Sequence, residues 1–326
     1  MPATTWQATG RLATAAEAND LAALEMNGVT IDDTFAEAFP MKATRLVITA
    51  HTEAWAEHAA QSLTGFATSV IACGCEAGIE RRLGPAETPD GRPGVAVLVF
   101  SMSGKDLAKQ VERRVGQCVL TCPTTAVFAG IDDGEAIALG RNLRFFGDGW
   151  QVSKMLGRRR FWRIPVMDGE FVCEETTGVV KCVGGGNLLL LAKDTDAALL
   201  AAQAAVAAMR RLPNVIMPFP GGVVRSGSKI GSKYGKYNPS TNDAFSPALA
   251  PLVPSQLTDD VRCVMEIVID GLSEADVAQA MRDGIASVVE LGGERGARRI
   301  SAGNYGGKLG PFHFRLHELA SGGGAR

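Results

Sequence analysis

The sequence predicts an α+β protein of two lobes built on one internally duplicated plan. Three observations predict it. A strand–helix–strand pattern recurs four times along the 326 residues. The chain is too long for one ordinary core and long enough for two. Its composition, 46% hydrophobic and 21% charged, is that of a globular chain rather than a disordered one.

The first unit runs from RLVITA (45–50) through a helical pattern over 53–63 to GFATSVIACG (65–74). The second is GVAVLVFSM (94–102), a helix over 105–116, then QCVLTCPTTAVF (117–128). The third is GGNLLLLAKD (185–194), an alanine-rich helix over 196–212, then NVIMPFPGG (214–222). The fourth is RCVMEIVIDG (262–271), a helix over 273–289, then RRISAGNYGGKLG (298–310). Ser103, Asp194 or Thr195, and Ser273 with Asp276 stand where helix N-caps are needed to satisfy free amides of the first turn. Two such units make a split-βαβ sandwich of the ferredoxin-like kind, so four make two ferredoxin-like lobes. The stretch 150–183 reads as hairpins between them. These patterns set a loose extension over 1–25, an N-terminal lobe with linking hairpins over 26–175, and a C-terminal lobe over 176–326.

Net charge is −2, from 33 basic and 35 acidic residues, which argues against a nucleic-acid binder. The longest apolar stretches are short, such as LLLLA at 188–192, well below the roughly 18–20 residues of a membrane span. The N-terminus lacks the apolar core of a secretion signal. Seven cysteines without a dense framework point to a reducing cytoplasm.

PFPGGVVRSGSKIGSKYGKY (218–237) is basic, hydroxyl-rich and punctuated by glycine. Glycines let backbone amides turn toward an anion, Ser226, Ser228 and Ser232 add hydroxyls, and Lys229 and Lys233 add charge. The same composition also suits a solvated surface loop. In RCVMEIVIDG, strand alternation puts Val264, Glu266, Val268 and Asp270 on one face. Glu266 then lies between valines, where lost hydration raises a carboxyl pKa toward neutrality and suits it to acid/base work. The alternative is a buried ion pair with an arginine or lysine. Cys73, Cys75, Cys118 and Cys122 have neither zinc nor ferredoxin spacing. Thr121 and Pro123 read as a strand end and helix start, with Thr121, Thr124 and Thr125 as alternative hydroxyl donors to a substrate. GGGN (184–187) and GNYGGKLG (303–310) place Asn187, Asn304 and Lys308 on turns. GRRRFWRIP (157–165) is a basic, aromatic hairpin that suits an acidic partner.

Taken together, MNGVTIDDTFAEAFPMKATRLVITA, ETPDGRPGV, GQCVLTCPTTAVF, RFFGDGW, RIPVMDGEF, PFPGGVVRSGSKIGSKY, EIVIDG and SAGNYGGKLG resemble the formylmethanofuran–tetrahydromethanopterin formyltransferase family, in order, from about Met26 to Leu319. The resemblance implies a cytoplasmic enzyme that moves a formyl group between the amine of methanofuran and N5 of tetrahydromethanopterin. It implies two ferredoxin-like lobes, assembly as dimers or tetramers, and no metal or permanently bound cofactor, the two carriers being co-substrates. It also implies that Glu266 is the acid/base residue, on the strand before IVIDG. The near-neutral charge leans toward the bacterial, methylotroph type, which works with formyl hydrolase subunits and runs from formyl-tetrahydromethanopterin to formylmethanofuran. Residues 1–25, Gly74 and Cys75 before Glu76, and an extra glycine in SKYGKY depart from the family pattern.

Amide exchange requires the acceptor nitrogen and the carbonyl carbon held close, donors at the forming oxyanion, and a proton shuttle. Glu266 is the expected shuttle. Backbone amides of the glycine turns, Thr124 and Asn187 are the expected oxyanion donors. Ser226, Ser228, Lys229, Ser232, Lys233, Asn304 and Lys308 are the expected contacts to the acidic carriers. Three rival readings compete with this one: a thiol enzyme using Cys118 or Cys122, a non-catalytic scaffold or carrier-binding subunit of a hydrolase complex, and an iron–sulfur protein.

Overall fold

The computed structural model describes residues 24–234 and 239–322. The chain enters through a hairpin, β1 (Leu24–Met26) and β2 (Val29–Ile31), turned at Asn27 and Gly28 with positive φ. Of the expected extension, residues 1–23 lie outside the described residues, and Leu24 and Glu25 belong to β1. The first lobe follows: β3 (Phe35–Thr49), α1 (Glu53–Thr64), β4 (Thr68–Ser69), α2 (Val70–Cys73), β5 (Cys75–Leu83), β6 (Gly94–Ser101), α3 (Gly104–Arg114) and β7 (Ala126–Ala129). Next come β8 (Glu135–Ala138), α4 (Gly140–Leu143) and a meander of β9 (Val152–Leu156), β10 (Arg159–Val166) and β11 (Gly169–Glu174). The second lobe has β12 (Thr176–Ala192), α5 (Thr195–Met209), β13 (Val215–Ile216), the short pair β14 (Lys229–Ile230) and β15 (Pro239–Ser240), β16 (Cys263–Gly271), α6 (Glu274–Leu291), β17 (Arg299–Ser301), β18 (Phe312–Arg315) and α7 (Leu316–Ala320).

The duplication is visible in strand order. In the first lobe the sheet runs β5-β6-β3-β7, and in the second β13-β16-β12-β17. Each is second-third-first-fourth in chain order, and all of these pairs are antiparallel, which is the split-βαβ topology. Two long strands join the lobes. The middle of β3 pairs with the middle of β12, from Val180 opposite Ala43 to Gly184 opposite Phe39. The outer parts of β3 serve β6 and β7 at one end and β18 at the other. One hydrogen-bonded network therefore passes through both lobes.

Each lobe buries its own core. Leu46, Ile48, Val97, Val99, Leu107 and Val111 fill the first, and Leu188, Leu190, Ile267, Ile269, Met281 and Ile285 the second. A smaller cluster of Met41, Leu98, Phe100, Cys182 and Ile216 packs where they meet. Polar groups also cross there: Arg45 forks onto Glu80 at 2.6 and 2.7 Å and reaches Asn214 at 2.7 Å. The alanines of α5 permit close packing on α6, where a Cβ on Gly284 would stand 2.1 Å from Met209 Cε.

The caps fall where expected. Ser103, Asp194 and Ser273 accept from the amides of Asp106, Ala197 and Asp276. Ser273→Ala is expected to cost about 1 kcal/mol, read as a lower denaturant midpoint with an unchanged slope.

The second strands of the units differ from expectation. Residues 65–74 hold only β4 and α2, and the strand proper is β5, one turn later. Gly74, at φ 75°, ends α2 and redirects the chain. The two arginines and two glutamates of CEAGIERRL masked this strand in the sequence. In the second unit a π-helical turn, Val115–Val119, prolongs α3, and Pro123 lies in a turn rather than at a helix start. Residues 214–222 and 298–310 are strand only over β13 and β17. The hairpin at 157–165 forms as expected, but Arg159, Arg160 and Arg163 pair with Glu174, Glu175 and Glu170, so the patch is locally neutralised.

Candidate active site

Glu266 sits mid-strand on β16, opposite Leu189 of β12. Alternation works as expected: Ile267 and Ile269 enter the second core, while Glu266, Val268 and Asp270 face the other way. The Gly-rich loop is fastened directly over this point. Val224 N–H donates to the Glu266 carbonyl at 2.7 Å, and Glu266 N–H returns to the Val224 carbonyl at 2.8 Å.

The Glu266 side chain is buried, with 7% of the residue exposed. Its one side-chain partner among the described residues is Asn187, whose Nδ2 donates to Oε1 at 3.2 Å. Asn187 is itself oriented, because its Oδ1 accepts from Gly303 N–H at 2.7 Å. No ion pair among the described residues includes Glu266, so the alternative of a buried salt bridge is not what forms. Burial pushes its carboxyl up to about 7, against a smaller downward pull from the Asn187 hydrogen bond. Asn187 was expected on a turn; it is in β12, where a bulge between Val183 and Gly186 absorbs the run of glycines.

The carboxyl opens into a cleft of about 230 Å³ between the lobes. Phe39, Met41, Val70, Ile71, Met102, Phe219 and Leu309 supply apolar walls, and Glu76, Asn187, Ser228, Lys229 and Tyr305 supply polar groups. Ser228, Lys229 and Tyr305 also border a wider polar cavity of about 630 Å³, lined by Asp32, Gln256, Arg298, Arg299 and Asn304. Its arginines are paired, Arg299 with Asp32 at 2.6 Å and Arg298 with Asp260 at 2.9 Å. An apolar slot that shares Ser228, Lys229 and Tyr305 with a hydrogen-bonding trough suits a flat ring attached to a long polar arm.

Two residues absent from the expectations shape this site. Glu37, fully buried on β3, accepts from the amides of Tyr305 (3.0 Å), Gly307 (3.0 Å), Gly310 (2.8 Å) and Leu309. Burial opposes its ionisation, but these four amides prevail and hold its carboxyl below the usual range. The 303–310 turn is thus wrapped around an anion that belongs to the protein. Tyr305, placed by that turn, has its phenol pushed up by burial and by the Glu266 charge. A single acid within FAEAF gave no sequence signal of such a role.

The other expected site residues separate. Ser228 and Lys229 reach the cleft, although Lys229 is held by Asp243 of the same loop region. Ser226 lines a small cavity beside Glu266 with Val224 and Phe245. Ser232 and Lys233 line a more distant groove with Tyr234 and Leu252, and residues 235–238 lie outside the described residues. Asn304 borders the polar cavity, and Lys308 is exposed outside these cavities. Thr124 is not at the cleft. It occupies a turn at φ 65° before β7; its amide donates to Asp168 at 2.6 Å and its hydroxyl accepts from His51 N–H at 3.1 Å. Thr121 and Thr125 likewise donate to backbone carbonyls of their own turn.

Cys118 and Cys122 pack against the first core, away from the cleft. Burial and the Asp168 charge push the Cys122 thiol up, the wrong direction for a nucleophile. Among the described residues no group of three or more His, Cys, Asp or Glu side chains converges as metal ligands.

Comparison with known proteins covers both lobes. The family described as formylmethanofuran-tetrahydromethanopterin formyltransferase matches residues 24–166, and its proximal lobe matches residues 169–319. A formylmethanofuran–tetrahydromethanopterin formyltransferase of Methylococcus capsulatus is 67% identical over 294 residues, covering 90% of this chain and 99% of that protein. One component of the formyltransferase/hydrolase complex of Methylorubrum extorquens is 49% identical, covering 90% of this chain and 96% of its own length. Among solved structures, that organism's complex with methylofuran superposes with a TM-score of 0.89, covering 91% of this chain and 99% of the matched one. The Methanosarcina barkeri formyltransferase superposes at 0.85 with 46% identity, covering 91% of this chain and 100% of the other. Matches of this extent to both lobes place the chain in the formylmethanofuran–tetrahydromethanopterin formyltransferase family.

Proposed function

We propose that this enzyme transfers a formyl group between the amine of a methanofuran-type carrier and N5 of tetrahydromethanopterin, by direct amide exchange in the Glu266 cleft. The observation that carries the mechanism is a buried carboxyl without a cationic partner among the described residues, poised near neutrality in an apolar slot. The acceptor nitrogen attacks the formamide carbon, and the carbonyl becomes an oxyanion. Glu266 takes the proton from the attacking nitrogen and delivers it to the leaving nitrogen as the old C–N bond breaks. One carboxyl serves both transfers, so the shuttle ends in its starting state. Asn187 has a second amide hydrogen beyond the one given to Glu266, which makes it the side-chain candidate for the oxyanion. The walls of the slot exclude water that would hydrolyse the formyl group.

Ser228 and Lys229 are the contacts proposed for the acidic arm of a carrier. Lys229→Ala is expected to raise KM for one carrier by roughly tenfold or less, because the lysine is already shared with Asp243 and half exposed. Added salt should raise the wild-type KM in the same way.

For the cell we place the enzyme in the cytoplasm, running from formyl-tetrahydromethanopterin to formylmethanofuran, in a homo-oligomer or with hydrolase subunits. Seven free thiols fit a reducing setting, and no helix among the described residues is long and apolar enough to cross a membrane. Phe145, Phe146, Trp150 and Met167 are 68%, 65%, 81% and 108% exposed, which supports a subunit contact at this end of the first lobe. A formyl-transfer assay of the purified chain with both carriers tests the reading. Transfer supports it, and carrier binding without transfer supports a scaffold instead.

A further inference from the structure

Two further carboxyl groups, Glu76 in the same cleft and Asp270 buried beside it, are unused by the exchange just described. Asp270 is on the Glu266 face of β16, four residues further along, or about 13 Å at strand rise. It is fully buried. Its Oδ1 accepts from Gly185 N–H at 3.0 Å, while its Oδ2 has no partner among the donors of the described residues. Glu76, at the start of β5 in the other lobe, faces it, lines the cleft and accepts from Val70 N–H at 3.3 Å. Two carboxylates side by side would leave acceptor against acceptor in a dry site. A proton on the Asp270 Oδ2 resolves this: the acid donates to Glu76, and the orphan oxygen gains a partner. Burial and the adjacent Glu76 charge drive Asp270 well above its ordinary value. Burial raises Glu76 above its ordinary value too, with the hydrogen bonds from Asp270 and the Val70 amide opposing the rise; with the proton on Asp270 Oδ2, Glu76 is the member left as acceptor.

We infer that Glu76 is a substrate-binding carboxylate that accepts the N–H groups on the pyrimidine edge of the reduced pterin, and that Asp270 is the positioning residue that holds it. This rests on the formyl-transfer reading and assigns one carrier within it. The chemistry selects the ligand. The 2-amino and ring N–H groups of a pterin lie side by side and match the two oxygens of one carboxylate. The fused reduced ring carries N5 away from this edge, so a pterin clamped at Glu76, in the cleft it shares with Glu266, presents N5 toward Glu266. The slot between is walled by Met41, Val70 and Val268, which suits a flat ring. The furan carrier has no comparable pair of N–H donors on its ring.

The test is steady-state kinetics of the full-length protein, varying each carrier in turn. Glu76→Gln should raise KM for the pterin carrier roughly tenfold to a hundredfold, because one paired acceptor becomes a donor facing donors. KM for the furan carrier and kcat at saturation should stay near wild type. Asp270→Ala, which removes the donor that holds Glu76, should raise the pterin KM selectively as Glu76→Gln does, and Asp270→Asn, which keeps that donor, should restore it. If Glu76→Gln unfolds, Glu76→Asp, which keeps the charge but withdraws it by one methylene, should show the same selective rise. An unchanged pterin KM, a rise confined to the furan carrier, or an Asp270→Asn loss as large as that of Glu76→Gln overturns the assignment. Active wild type with insensitive variants defeats only this inference; inactive wild type defeats the reading beneath it.

Discussion

Glu266→Gln lowers turnover roughly a hundredfold or more, while KM for both carriers stays near wild type. Glutamine matches glutamate in shape, and its Oε1 can still accept from Asn187 Nδ2, so the strand, the fastened loop and the cleft walls remain in place. What disappears is the ability to hold and release a proton. Both nitrogens then exchange protons only through solvent, which the buried site admits poorly. A fall in kcat with preserved KM reads as loss of an interaction made in the transition state. A rise in KM with preserved kcat would instead make Glu266 a binding residue.

The same substitution has an opposite effect on stability. Unfolded, Glu266 ionises near its ordinary 4.5, and folded near about 7. A raised folded pKa means that native stability is greatest below the unfolded value and declines as pH rises toward about 7, then stays level. Glutamine removes that cost. The variant is therefore expected to gain thermal stability over wild type at about pH 8 and little at about pH 4, a trade of stability against activity at one position.

The second large effect is expected at Glu37. Its carboxylate holds four backbone amides of the 305–310 turn, and alanine would leave them unpaired in a largely part-buried place. The expected loss is about 3–5 kcal/mol in denaturant unfolding. Activity should fall further than stability predicts, because Tyr305 and Leu309 line the cleft and lose their support. Its folded pKa is lowered, so the stabilisation is present above the ordinary carboxylate range and is lost as pH falls through the folded value. Glu37→Ala with wild-type stability would show that the turn holds its shape without the anion.

Much of this was legible in the residues. RCVMEIVIDG alternates cleanly, so the facing of Glu266 and Asp270 follows from the strand pattern alone. Helix caps were legible because a cap is a local event among four residues. The second strand of the first unit was not, since CEAGIERRL draws its meaning from Arg45 and Asn214, which hold Glu80 from afar. Lys229 and Thr124 illustrate the same limit at the site. Sequence gives a charge or a hydroxyl, but Asp243 and the His51 amide decide whether it is available. Glu37 was invisible because its partners lie some 270 residues away in the chain.

The central claim is that Glu266 changes protonation near neutrality inside a dry cleft. The direct measurement is an infrared titration of the free protein, taking the buried-carboxyl band of wild type minus that of Glu266→Gln. The account predicts a band that disappears with a midpoint near about 7. A midpoint at the ordinary 4.5, or no band assignable to Glu266, would contradict it.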